Sequence, residues 1–137
     1  MDIINKSQTI SKKAMRFGTD TLLHPSEIHM VVNIAGSREP HVIGLAKELG
    51  ITKGAVSQII RKLERKGIIK RNIDINNRSK YLLTLTTKGL HAYHQHEKLH
   101  QSVNLAYMHI LKKYPDNDIK NILQLLKELN NEAVEIN

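Results

Sequence analysis

The chain contains no cysteine, so disulfide bonds, thiolate zinc sites and cysteine-based redox sensing are excluded. Aromatic residues make up only 4% of the chain, and prolines (three) and glycines (seven) are few. No apolar run approaches the roughly 18 residues that a membrane span needs, and the first residues lack the apolar core of a signal peptide. The sequence therefore predicts a cytoplasmic protein that does not associate with membranes.

The positive charge of the chain is concentrated in one segment. Residues 41–88 hold 11 lysines and arginines against three acidic residues, which accounts for the whole formal net charge of +8. A generally basic composition would spread this excess along the chain. Its concentration indicates a surface for a polyanion, although RNA or an anionic membrane would satisfy the charge as well as DNA.

Apolar periodicity in the first fifty residues predicts three helices. Residues 2–22 carry a weak apolar stripe, and Pro25 favours the start of a second helix because its fixed φ suits the first helical position. A connector at residues 36–40 leads to a short third helix that Gly50 ends, and a short strand near residues 40–42 is also considered. The positions predicted to face inward are Ile28, Val31, Val32, Ala35, Leu45, Ala46 and Leu49.

The helix predicted over residues 53–66 has two chemically different faces. Thr52 caps its start and Gly67 ends it. Its apolar residues recur at i, i+3, i+4 and i+7: Val56, Ile59, Ile60 and Leu63. The opposite face is polar or small and carries Gly54, Gln58, Arg61 and Arg65, with Ser57 at its border.

The pattern then changes to that of a β-hairpin followed by two more helices. Residues 68–75 and 81–86 are rich in β-branched and apolar side chains, and the segment between them has turn chemistry. A long helix is predicted from Thr86 or Thr87 to about Tyr114, where Pro115 breaks it. The last helix carries a wide apolar stripe through Ile119, Ile122, Leu123, Leu125, Leu126, Leu129 and Ala133.

Two helices joined by a tight turn and followed by a basic hairpin are the layout of a winged helix-turn-helix. The stretches LAKELGITKGAVSQ (residues 45–58) and LERKGIIKR (residues 63–71) resemble MarR-family regulators, and so does LTLTTKG (residues 83–89) after the wing. The resemblance implies a mainly α fold with a small β-hairpin wing.

The same resemblance implies a domain organisation and a partner. Residues 1–137 would form a single domain, with a DNA-binding region at 23–90 and dimerisation helices at 1–22 and 91–137. The expected assembly is a homodimer on a pseudo-palindromic DNA operator. The apolar stripe of the last helix supports dimerisation independently, because a monomer would expose part of it.

The helix at 53–66 is expected to enter the major groove of DNA. Gln58 and Arg61 can make bidentate contacts with adenine and guanine, respectively. Phosphate contacts are expected from Lys53, Ser57 and Lys62, and the small Gly54 permits close backbone approach. The wing arginine of the family enters the minor groove, and Arg78 matches it, although Asn77 stands where the family usually has aspartate. The predicted DNA-facing set is Thr52, Lys53, Gly54, Ser57, Gln58, Arg61, Lys62, Arg78 and Lys80.

Histidines suggest an effector site. His96 and His100 are one helical turn apart, a spacing at which two imidazoles can hold one metal ion. Zinc-responsive MarR proteins use such a pair together with a histidine on the second helix, which His29 matches, and Asp20 or His24 is the candidate fourth ligand. The other interpretations are hydrogen-bonded core histidines, or a small phenolic or lipophilic effector instead of zinc.

Two other functional classes fit the sequence less well. The chain has no glycine-rich phosphate loop and no nucleophile-elbow motif, so neither an enzymatic activity nor a required cofactor is expected. A winged helix can also serve only as a protein-interaction module, and its charged helix face would then be simply solvated. The localised charge favours a sequence-specific DNA-binding regulator, expected to be a repressor whose DNA affinity an effector modulates.

Overall fold

A computed structural model describes residues 13–74 and 81–135 of the chain. Within these ranges the elements follow in the order α1 (Pro25–Gly36), α2 (Val42–Leu49), α3 (Lys53–Arg65), β1 (Ile69–Ile73), β2 (Tyr81–Leu85), α4 (Thr87–Leu111) and α5 (Asp116–Glu135). The two strands form an antiparallel hairpin. The predicted fold class, mainly α with a β-hairpin wing, is confirmed.

The segment before α1 differs from its prediction. Residues 13–22 were expected to be helical, but Met15 and Leu23 instead exchange backbone hydrogen bonds of 2.9 and 2.8 Å. Between them Phe17 and Gly18 have φ angles of 45° and 69°, which reverse the chain and are incompatible with a right-handed helix. The helix prediction is therefore wrong for residues 13–22, and its part at residues 2–12 lies outside the described residues.

Helix α1 begins at Pro25, as predicted, but its inward face is rotated from the expected one. Ile28 and Val31 are buried, whereas Val32 is half-buried and Ala35 is exposed. Met30 and Ile34 occupy the core in their place, because these larger side chains remove more apolar surface from water than alanine does.

Helix α2 is capped by a histidine. His41 Nδ1 accepts a hydrogen bond of 2.8 Å from the Gly44 amide, and Gly50 ends the helix with a φ of 63°. No strand forms at residues 40–42. The carbonyl of Pro40 accepts one hydrogen bond of 2.7 Å from the Leu83 amide on β2 before the chain turns into α2. The strand alternative is therefore wrong.

The hairpin pairs Ile69 with Leu85 at its base and Ile73 with Tyr81 at its outer end. Its base is fixed where α4 starts. The Thr86 amide donates to the Ile68 carbonyl at 3.0 Å, and the Thr86 hydroxyl donates to the Gly67 carbonyl at 2.7 Å. The predicted turn residues, 76–79, lie outside the described residues.

The chain divides into two compact units, Met1–Glu97 and Lys98–Asn137. The first contains the hydrophobic core, which gathers buried side chains from α1, α2, α3, the hairpin and the start of α4: Leu23, Ile28, Met30, Val31, Ile34, Leu45, Ala46, Val56, Ile60, Leu63, Ile68, Ile69, Leu83 and Ala92. This core supports α3 from behind.

The second unit holds the end of α4 and all of α5, and its large apolar side chains are mostly exposed. Leu105 is 72% exposed and Leu129 is 58% exposed. An open apolar groove in this unit is lined by Leu111, Tyr114, Ile119, Ile122, Leu123 and Leu126. None of the described helices is both long and apolar enough to cross a bilayer.

Candidate nucleic-acid interface

Helix α3 presents a polar face to solvent and buries an apolar one, as the sequence predicted. Val56, Ile60 and Leu63 have no exposed surface. Ser57 is half-buried, and the other predicted DNA-facing residues on and beside this helix are exposed: Thr52, Lys53, Gly54, Gln58, Arg61 and Lys62. The polar face is therefore open to a large ligand.

Local signals in the sequence set the ends of α3. The Thr52 hydroxyl accepts a hydrogen bond of 3.1 Å from the Ala55 amide and caps the first turn. The helix stops at Arg65, and Gly67 follows with a φ of 67°. The exposed side of the helix borders an open depression lined by Gln58, Arg61, Lys62, Glu64 and Arg65.

A buried ion pair fixes the end of α3 against α1. Lys66 Nζ lies 2.6 Å from Glu27 Oε2 and also donates to the Leu22 carbonyl at 2.8 Å. The Glu27 side chain is 2% exposed. Burial raises the pKa of Glu27, but the hydrogen bonds from Lys66 and from the His24 amide outweigh it, and the pKa lies below its ordinary value. Sequence reasoning missed this pair, because 39 residues separate its members.

A second ion pair joins α3 to the hairpin. Arg71 Nε lies 2.7 Å from Glu64 Oε1, and Arg71 Nη2 donates to Glu64 Oε2 at 2.9 Å. This bidentate geometry is the one that a guanidinium and a carboxylate favour. The sequence placed both residues correctly on α3 and β1 but did not predict their contact.

The wing residues Arg78 and Lys80 lie outside the described residues, so their contact with DNA stays a prediction. The strands that lead to them are in place. Lys70, Arg71 and Asn72 on β1 are all exposed, which continues the basic character of the α3 face onto the hairpin.

Two of the three histidines predicted to bind metal lie side by side. The rings of His29, on α1, and His96, on α4, have centroids 5.8 Å apart, and the Phe17 ring lies 5.6 Å from that of His96. His96 is buried and His29 is exposed. His100 follows one turn later on α4, in the second unit, and is exposed.

One of the two candidate fourth ligands is engaged by a lysine. The Asp20 carboxylate lies 2.6 Å from Lys88 Nζ, and the hydrogen bond and charge of Lys88 hold its pKa below the ordinary value. His24 precedes α1 and is exposed. In the part of the chain that the structure describes, no three His, Asp or Glu side chains are grouped to hold a metal ion.

Comparison with known proteins shows which family this segment of the chain resembles. The MarR family model matches residues 23–80, the segment that holds α1, α2, α3 and β1. Residues 23–80 are thus similar to the MarR family. Over 105 residues this chain is 30% identical to the HTH-type transcriptional regulator PchR of Bacillus subtilis. That match covers 76% of this chain and 62% of PchR, less than two thirds of the relative's length.

Solved MarR structures share the fold. Lactococcus lactis ZitR in complex with DNA superposes with a TM-score of 0.76 at 20% identity, covering 96% of this chain and 92% of that chain. A structure described as a zinc-responsive MarR family member, also L. lactis ZitR, gives a TM-score of 0.74 at 22% identity, covering 96% and 93%. The similarity of fold covers residues of both units of this chain.

Proposed function

We propose that this protein is a sequence-specific, DNA-binding transcriptional regulator that acts as a repressor. The observation that carries the proposal is the division of α3: Val56, Ile60 and Leu63 on its apolar side are fully buried in the core, and its polar side, with Gln58 and Arg61, is exposed. A helix that reads the major groove needs this division, because one side must dock on the scaffold and the other must meet base edges.

The residues of the interface have separate roles in this proposal. Gln58 and Arg61 read bases, because amide and guanidinium groups match the edges of adenine and guanine in the major groove. Lys53, Ser57 and Lys62 contact phosphates and set the register of the protein on the duplex. Arg78, with Lys80 beside it, enters the adjacent minor groove.

We also propose that the regulator is a homodimer. Leu125 and Leu129 of α5 are 55% and 58% exposed in the single chain. Monomeric soluble proteins rarely expose a large contiguous apolar patch, so this face of α5 is expected to be covered by a second copy. Two copies would present two α3 helices to the halves of a pseudo-palindromic operator. The function requires access to the chromosome, which places the protein in the cytoplasm, and it involves no enzymatic activity.

Selection of bound sequences from a random duplex pool, followed by affinity measurements, tests the function. Arg61→Ala is expected to weaken operator binding by about 1–3 kcal/mol and to relax the preference at one base position. Lys62→Ala should instead weaken all duplexes alike and lower the salt slope by about 1. Absence of salt-dependent duplex binding, with intact folding, would favour the alternative function of a winged-helix protein-interaction module.

An effector is the second part of the proposal. We propose that DNA affinity responds to a divalent metal such as zinc, with His29, His96 and His100 as ligands and Asp20 or His24 completing the set. The adjacent rings of His29 and His96 support this assignment, while the engagement of Asp20 with Lys88 speaks against Asp20 as the fourth ligand. Zinc would supply coordination that joins α1 to α4. A small phenolic or lipophilic ligand is the competing effector.

Calorimetric titration with zinc distinguishes these effectors. Stoichiometric binding that is lost in His96→Ala together with His100→Ala supports the metal site. The matched control is His91→Ala together with His94→Ala, since both side chains are exposed on the same helix. If zinc does not bind, or binds equally to both double variants, the metal proposal fails and the organic ligand remains.

A further inference from the structure

The contact between Glu64 and Arg71 joins the two elements that would read DNA. Both carboxylate oxygens of Glu64 are engaged by the guanidinium, at 2.7 and 2.9 Å. Glu64 belongs to the last turn of α3, and Arg71 is the central residue of β1. The pair therefore bridges the predicted recognition helix and the strand that leads to the wing tip.

The position of Glu64 is unfavourable for simple phosphate attraction. It is the one acidic residue in the sequence of α3, and it lines the same open depression as Gln58 and Arg61. A carboxylate there repels the DNA backbone. Arg71 cancels this charge, so the pair adds no net attraction to DNA. Its value to a DNA-binding surface must lie in geometry.

The outer part of the hairpin lacks core packing, so a contact at Arg71 can hold it in place. Its base is held in the core, where Ile69 and Leu83 are 3% and 2% exposed, whereas Ile73 and Tyr81 at the outer end are 62% and 54% exposed. A two-stranded hairpin outside a core has little stability of its own. Arg71 is opposite Leu83 in the register and lies midway between the buried base and the exposed outer end of the hairpin.

We propose that the Glu64–Arg71 pair fixes the wing relative to α3 and is a specificity-determining element of operator binding. The proposal rests on the proposed DNA-binding function. A rigid bidentate pair keeps the two reading elements at the separation set by adjacent grooves of one operator half-site. Random duplexes, bound mainly through phosphates, depend much less on that separation.

The test measures the ratio of operator affinity to random-duplex affinity for the full-length chain. Glu64→Gln removes a negative charge, which on charge alone should tighten binding to the operator and to random duplexes alike and leave the ratio unchanged. We expect the ratio to fall about tenfold, because the bidentate, charge-assisted contact is lost. Arg71→Lys keeps the charge but not the planar fork, and the ratio should fall as well. The double variant Glu64→Gln with Arg71→Lys should fall no further than the worse single variant, since both changes remove one interaction.

The matched control is Lys70→Ala. Lys70 is the neighbour of Arg71 on the opposite face of the hairpin, where it pairs in register with Thr84. It should weaken operator and random duplex equally and leave the ratio unchanged. Both members of the pair are partly exposed, so each variant is expected to fold. A urea unfolding midpoint equal to the parent's would show that it does.

Three results would overturn the proposal. The first is a Glu64→Gln ratio at or above that of the parent, which would make Arg71 a plain phosphate contact. The second is a double variant whose affinity ratio falls by the product of the two single-variant factors. The third is a fall of the ratio in Lys70→Ala equal to that in Arg71→Lys. A parent protein that binds no duplex would instead refute the DNA-binding function itself, and this inference with it.

Discussion

At the scale of single residues, Gly54 combines two roles that a substitution can separate. It lies on the exposed first turn of α3, and a methyl group added there would meet only the Thr52 hydroxyl, at 3.9 Å. The protein itself thus has room for alanine. Any need for glycine at this position must come from the ligand, whose backbone would approach that of the helix.

We expect Gly54→Ala to raise the free energy of unfolding by about 0.5 kcal/mol, because alanine favours the helix over glycine. Operator affinity should nevertheless fall about tenfold, as the methyl group separates the helix from the phosphates. Urea unfolding and DNA titration measure the two effects. Gly36→Ala is the control: it also has open space, at the end of α1, and should leave DNA affinity unchanged. Unchanged DNA binding by Gly54→Ala would show that no close approach occurs there.

At the scale of elements, the Glu27–Lys66 pair fixes the C-terminal end of α3 to the start of α1. Removing Lys66 leaves a carboxylate that is 2% exposed without its counter-charge. Lys66→Met should therefore lower the free energy of unfolding by about 3 kcal/mol. The double variant Glu27→Gln with Lys66→Met should recover part of this loss, since an uncharged pair no longer buries a charge. Urea unfolding of the parent and the two variants checks both expectations.

The same pair predicts a pH dependence. The pKa of Glu27 in the folded protein lies below its ordinary value of 4.5, so the carboxylate stabilises the fold above that pH and the stabilisation is lost as the pH falls through the folded pKa. The difference in unfolding free energy between the parent and Glu27→Gln should be constant at neutral pH and shrink below about pH 4.5. Asp20→Asn, at an exposed ion pair, should change the pH profile much less. A constant difference down to strongly acidic pH would contradict this account.

The junction between hairpin and α4 gives a third prediction at this scale. A methyl group on Gly89 would overlap the carbonyl oxygen of Ile68, which Thr86 already engages. Gly89→Ala should lower the free energy of unfolding by about 2 kcal/mol, because the steric conflict exceeds the gain of about 1 kcal/mol from helix propensity. Thermal unfolding measures it. A stabilised variant would show that α4 can move away from Ile68 at little cost.

Element boundaries were predictable where their causes are local. Thr52, Gly50 and Pro25 act through their own backbone or the next three residues, and each stands where the sequence placed it. The segment before α1 was mispredicted because its cause is not local. Phe17 adopts a positive φ while its ring packs against His96, which is 79 positions further along the chain. No periodicity in residues 2–22 reports that contact.

At the scale of the whole molecule, the sequence predicted which residues form the candidate site but not the tertiary contacts between them. The exposed face of α3 followed from its spacing of apolar residues. The two ion pairs that hold α3 against α1 and β1 did not, because they depend on tertiary distances. His29 and His96 were matched through the resemblance to the family, and their adjacency required the fold.

The proposed dimer gives the last prediction. Leu125→Glu together with Leu129→Glu introduces charge into the exposed apolar surface of α5 and should weaken dimerisation by at least about tenfold. Operator affinity should fall as well, since a monomer binds only one half-site of the operator. Sedimentation equilibrium and DNA titration check the two effects. Asn121→Glu, an exposed polar position on the same helix, serves as the control. A double variant that stays dimeric would place the interface elsewhere.

The closed base of the hairpin has a consequence for how operator preference can diverge. Thr86 returns the chain to Gly67 and Ile68, so the hairpin starts and ends at the same place on the scaffold. Beyond Arg71, a ribbon of another length or composition could be grafted between β1 and β2 without shifting α3 or α4. In the proposed function, minor-groove contacts by the wing and major-groove contacts by α3 would then be separable, and each could change while the other is retained.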